Sequence, residues 1–188
     1  MIPDPTIVAA GIAALVATGG YLFGQRAQRR ERRSRVYAEA LRTLRDLEAV
    51  PYAIWRRGDD SPEAVRLLGA LQSDRFAAAH YYGQLLRIEI PWVGEIYHQL
   101  QFRVRRQTLH NARTAWLDGP RANTGRLWAG PSFINDTAPE LELCLAAMQA
   151  DVGWTGRWRR GELRRRLRAL AAARPILPVP DPGPPPGP

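Results

Sequence analysis

The sequence predicts an all-α protein: a single N-terminal transmembrane helix continuing into a cytoplasmic antiparallel helical bundle, with a disordered Pro-rich C-terminal tail. Three observations carry this reading. Thr6 to Phe23 is an uncharged, apolar run followed closely by arginines. Apolar residues then recur at three- and four-residue steps for most of the chain. Alternating β-type runs flanked by hairpin turns are lacking, and eight prolines crowd residues 175–188.

The apolar run comes first. About 20 residues at ~1.5 Å rise match the ~30 Å hydrocarbon core of a bilayer, so residues 6–24 are the expected span. A cleaved secretory signal carries positive charge ahead of its apolar stretch. Here only Asp4 precedes the run, and Arg26, Arg29, Arg30, Arg32, Arg33 and Arg35 follow it. Arginines beside a span stay in the cytoplasm. Residues 1–5 are therefore expected outside and residues 25–188 inside, in an inner (cytoplasmic) membrane, with Tyr21 at the inner headgroups. Ala13, Ala17, Gly20 and Gly24 are spaced four apart in two pairs. Small residues at that spacing let two helices approach closely, which makes them the candidates for self-association into a homo-oligomer.

Charge is concentrated. All 27 basic residues are arginine, and the net charge is +9. Residues 26–35 carry +5 and residues 157–174 carry +7, so the remainder is slightly acidic. Two basic patches are thus the places to look for anionic partners. The single cysteine, Cys144, excludes an intramolecular disulfide and suits a reducing compartment. The Arg, Ala, Gly and Pro bias points to a GC-rich bacterial genome, an argument from codons rather than physics.

After the basic juxtamembrane segment 25–35, residues 36–156 are expected to form the bundle domain. Val36, Tyr37, Ala40, Leu41, Leu44 and Leu47 mark an amphipathic helix running on from the span until Pro51 kinks or ends it. Ser61-Pro62-Glu63 is a helix start: a capping hydroxyl, a first-turn proline and an acid at the positive end. That helix runs to about Ile90, with Ser73-Asp74 a potential interruption. Pro91 opens the next, with Val93, Ile96, Tyr97, Leu100, Val104 and Ala115 on its apolar face. The short joint makes the two antiparallel, and with residues 36–56 they compose a three-helix bundle. Residues 119–138 read as a long Gly/Pro-rich loop packing aromatics over the bundle end. Thr137 and Glu140 have capping-box spacing, starting a helix with Leu141, Leu145 and Met148 on one face. Residues 151–156 read as a break.

Residues 157–174 form a basic amphipathic helix with Leu163, Leu167 and Leu170 in a narrow stripe and Trp154 and Trp158 at its start. Three settings suit it: on the anionic inner leaflet, on nucleic-acid phosphates, or docked on the bundle with its arginines in water. The candidate contacts for anionic lipid or nucleic acid are Arg26, Arg29, Arg30, Arg32, Arg33, Arg157, Arg159, Arg160, Arg164, Arg165, Arg166 and Arg168. Lipid is favoured over nucleic acid, because the anchor holds the helix near membrane and no recognised nucleic-acid module is present.

Catalytic chemistry finds little purchase. Glu95 and His98 have the Glu-x-x-His spacing of di-iron bundles, but the motif occurs once where two are needed. Cys144 sits among apolar neighbours, which raise a thiol's pKa. Phosphate loops, nucleophile elbows and dinucleotide glycines are lacking, and no cofactor is implied. The expectation is a membrane-anchored interaction or scaffold protein with an undetermined protein partner. The alternatives are a membrane-tethered nucleic-acid binder and an enzyme with a site under the 119–136 loop.

Overall fold

The computed structural model describes residues 5–118, 133, 135–153 and 156–175, except the side chains of residues 5–18, 22 and 157. All regular structure among them is helical: α1 (Pro5–Glu48), α2 (Val50–Trp55), α3 (Pro62–Glu89), α4 (Pro91–Leu117), α5 (Ala138–Val152) and α6 (Gly156–Ala173). Among the described residues no helix is long and apolar enough to cross a membrane. Most side chains of the expected span lie outside that set, as do the tail beyond Pro175 and most of the 119–138 loop.

The backbone of α1 is one uninterrupted helix of 44 residues, so the apolar run continues into the bundle without a joint. It ends as Pro51 requires. With no N–H at 51, the chain tightens at Ala49 and restarts as α2, with Pro51 in the first turn. The start of α3 is also local chemistry: the Ser61 hydroxyl accepts from the Ala64 amide at 3.2 Å, ahead of Pro62 and Glu63. Ser73-Asp74 does not interrupt this helix.

Ile90 links α3 to α4. Pro91 drives it out of the helical region, to φ −144° and ψ 71°, and its side chain is buried. The turn is tight. A Cβ on Gly94 would meet the Arg87 backbone at 2.6 Å, so the first turn of α4 fits against α3 only with glycine there.

Helix α4 is the centre of the molecule, in contact with α1, α2, α3 and α5. All six residues of its expected apolar face are buried, together with Trp92, Gly94, Thr108 and Ala112. Tyr97 is fully buried and donates to the Ala40 carbonyl at 3.0 Å. Its burial pushes the phenol well above its ordinary value.

The bundle is larger than the three expected helices. Helix α5 packs on α4 and α1, and α6 packs on α5. The expected capping box of Thr137 and Glu140 does not form; Thr137 makes no side-chain cap. Glu140 is buried, and its carboxylate takes Arg103 at 3.1 Å and Arg174 at 3.0 Å instead. A carboxylate removed from water needs charged partners more than it needs a backbone amide. The buried face of α5 is Glu140, Leu143, Cys144, Ala147, Met148 and Ala150. Of the expected face only Met148 is fully buried, and Leu145 is exposed.

Long-range ion pairs give the ends of the bundle their identity. Arg32 lies 3.4 Å from Glu89, and Arg33 lies 2.8 Å from Asp151. The end of α3, the start of α4 and the end of α5 therefore gather around residues 32–33 of α1. At the opposite end, Arg57 donates to the Ala115 and Trp116 carbonyls at 2.9 and 3.0 Å, satisfying the C-terminus of α4.

Candidate functional site

Among the described residues, the first of these ends brings exposed arginines without ion pairs close to exposed aromatic side chains. Along α1, most of the described side chains of residues 19–29 are exposed. Tyr21 and Phe23 are 66% and 63% exposed, and a Cβ on Gly19, Gly20 or Gly24 would meet nothing within 4 Å. Gly20 and Gly24, half of the expected self-association face, are thus open; the side chains of Ala13 and Ala17 lie outside the described residues.

The arginines of residues 26–35 divide into two groups. Arg26 and Arg29 are exposed and make no ion pair among the described residues. Arg32 is exposed and reaches Glu89. Arg33 belongs to the fold. It holds Asp151, whose side chain is buried and also accepts from the Tyr37 hydroxyl at 2.9 Å. Removing Arg33 from Asp151 to meet an anion would strand a buried carboxylate, so Arg33 is a structural residue. Arg30 is half-buried.

Helix α6 stands beside α5 with its stripe turned inward. Leu163 and Leu167 are buried and Leu170 packs on the core. Of the three settings open to this helix, the observed one is docking on the bundle; its leucines are not available to lipid. The clamp is completed at its end. Arg103 donates to the Arg174 carbonyl at 2.7 Å, while Arg174 pairs with Glu140 and Asp136. Buried charges in this network stiffen the seat of α6 and would be costly to break singly.

Its arginines point outward. Arg159, Arg164, Arg165 and Arg168 are exposed without ion pairs among the described residues. Arg166 pairs with Glu162 at 2.7 Å. Arg160 lies 5.1 Å over the Trp92 ring, which fixes the start of α6 against the start of α4. The side chain of Arg157 lies outside the described residues. Trp158, in the first turn, is 90% exposed. At the same end of the bundle Ile88, in the last turn of α3, is 78% exposed. Ile88 was not among the sequence candidates, but it lies off the apolar rhythm of α3, two residues before the joint, and that mismatch was the available signal.

Elsewhere the chemistry is quiet. Among the described residues no three His, Cys, Asp or Glu side chains gather to hold a metal. Glu95 is exposed and shares a cleft with Arg164 and Arg168. Partial burial, with Arg87 and His80 nearby, lowers the His98 pKa. Burial pushes the Cys144 thiol up to about 12. A cavity of about 180 Å³ between α4, α5 and α6 is lined by Gln99, Arg103, Glu140 and Arg174, whose charges already pair with one another or with Asp136. Phe133 covers the far end, edge-on to Tyr52 at 4.9 Å. The rest of the loop proposed to carry an enzymatic site, residues 119–132 and 134, lies outside the described residues.

Comparison with known proteins returns nothing: no family model, curated protein or solved structure matches this chain.

Proposed function

We propose that this chain is a membrane-anchored interaction protein. Residues 6–24 cross the inner membrane, the five preceding residues lie outside, and the helical bundle hangs from the cytoplasmic face as a docking platform. The observation that carries this reading is the continuity of α1. An uncharged run of membrane-spanning length enters the bundle core as one helix; along it a Cβ on Gly19, Gly20 or Gly24 would meet nothing within 4 Å among the described residues, and Tyr21 and Phe23 are exposed. Exposed arginines on the cytoplasmic side of the run suit the inner leaflet. No catalytic group is assigned.

The experiment is fractionation of the full chain expressed in bacteria. The protein should sediment with inner membranes, resist alkaline carbonate and dissolve only in detergent. Replacing Ile12 and Leu15 by Arg should release it to the soluble fraction, at roughly 3 kcal/mol of insertion per central arginine. Full recovery of the wild-type chain in the soluble fraction contradicts the proposal.

A second reading, a membrane-tethered nucleic-acid binder, draws on the exposed Arg159, Arg164, Arg165 and Arg168, which make no ion pair among the described residues. It requires tight duplex binding that falls steeply with salt.

A further inference from the structure

The bundle presents its basic, aromatic end toward the bilayer, and the geometry along α1 sets how far away that end lies. Arg32, at the level of the bundle end, is nine residues beyond Phe23. At 1.5 Å per residue that is ~14 Å below the hydrocarbon edge. The headgroup layer takes up ~5–8 Å of this. An upright bundle therefore hangs roughly 6–9 Å short of the headgroups, within about one Debye length at physiological salt.

A tilt closes the gap on one side only. Helix α6 packs on α5, which packs on α1, and lies against α4 as well, so α6 stands between one and two helix spacings, ~16 Å, from the α1 axis. A tilt of ~20–30°, within the usual range for a membrane helix, lowers that side by ~5–8 Å. The first turn of α6 offers the exposed Trp158 and Arg159, with Arg160 beside them over Trp92. Tryptophan suits the headgroup zone and arginine an anionic one. Arg165 and Arg168 lie ~9–15 Å farther along the helix and miss it.

Resting on the anchored reading above, we infer that the bundle leans onto an anionic bilayer through the first turn of α6. Trp158, Arg159 and Arg160 form a foot; α6 stands on end and does not lie in the interface. Leaning fixes the rotation of the bundle about α1, so the α3 side faces away from the membrane surface.

The test uses the full chain in liposomes, with a fluorophore on an introduced cysteine. Gly161→Cys is suitable, because a Cβ there meets nothing within 4 Å. The native Cys144 is buried and its thiol is pushed up to about 12, so it stays unlabelled. A headgroup-attached quencher should quench the Gly161→Cys label in vesicles containing phosphatidylglycerol. It should do so much less in pure phosphatidylcholine, and high salt should reverse the difference. Arg159→Gln with Arg160→Gln should lower the seated-to-unseated ratio about 30-fold, whereas Arg165→Gln with Arg168→Gln should leave it unchanged. Near-UV circular dichroism of the first pair, matching the parent, shows that the Trp92 packing survives. Equal quenching in both lipids, or an equal loss from both pairs, overturns the foot. Failure to float with either vesicle would instead remove the anchor on which the foot depends.

Discussion

Gly94 illustrates how a single residue governs the fold. Its missing Cβ lets α4 begin within 2.6 Å, by that measure, of the Arg87 backbone. Backbone cannot yield as a flexible side chain can. Gly94→Ala should therefore cost about 1–3 kcal/mol, read as a lower urea midpoint with unchanged helix content. Gly83 provides the contrast, since there the obstacle is only the Gln101 side chain, and Gly83→Ala should be milder. Cys144 makes a pH prediction. Its thiol is raised by burial from 9.0 to about 12, so the folded state holds the proton more tightly than the unfolded state. The stabilisation from this group is complete below pH 9 and is lost as pH rises toward 12. Burial raises Tyr37 and Tyr97 in the same direction, steepening the loss above pH 10. Denaturation midpoints should hold from pH 7 to about pH 9 and fall from there to pH 11, and Cys144→Ala should remove the earliest part of the fall.

At the scale of elements, the helices that declare themselves locally were legible. The Ser61 cap, the Pro51 kink and the Pro91 joint each depend on residues within one turn, and each is found. The apolar face of α4 was legible for a related reason: a central helix buries a wide arc, and any periodic stripe falls within it. Less was legible in α5. Its orientation is dictated by Glu140 reaching Arg103 and Arg174, and by Asp151 reaching Arg33, 118 residues away in sequence. No local pattern announces such partners, so a capping box was the natural but mistaken use for Glu140. The same distance effect hid Arg57, which lies just after α2 in sequence but closes the end of α4. Of the candidate site, the arginines were legible as a group. Which of them are free was not, because Arg33 and Asp151 meet only in the folded chain. The seat of α6 is testable here. Glu140→Ala removes the shared carboxylate, leaving Arg103 only the Arg174 carbonyl and Arg174 only Asp136, and should cost about 3 kcal/mol, the lower end for a broken buried pair. Because the partners hold the end of α6, amide exchange should accelerate there before it does in α4.

At the scale of the whole molecule, charge follows the long axis. The end where α1 emerges carries the exposed Arg26, Arg29 and Arg159. Among the described residues the opposite end is closer to neutral: the exposed Asp59, Asp60 and Asp118 are set against the exposed Arg56 and Arg113 and against Arg57, which pairs with Asp60. A body polarised in this way is drawn basic end first toward an anionic surface. The continuity of α1 adds stiffness, because a helix without a kink transmits tilt and rotation from one end to the other. Inserting seven alanines after Gln28 would push the bundle about 10 Å farther from the bilayer while turning it by only about 20° about that helix. Anchoring should survive this change, while the foot on α6 would be lost, because an ordinary tilt closes only part of the widened gap.

The most direct test of the anchored arrangement is thiol labelling across the membrane. Single cysteines introduced at Ile2 and at the exposed Ser34 are offered a membrane-impermeant reagent in intact spheroplasts, with Cys144 silent in the core. Ile2→Cys should be labelled from outside, and Ser34→Cys should react only after the membrane is opened. Equal labelling of the two sites, or labelling of Ser34→Cys alone in intact spheroplasts, would contradict the anchored arrangement.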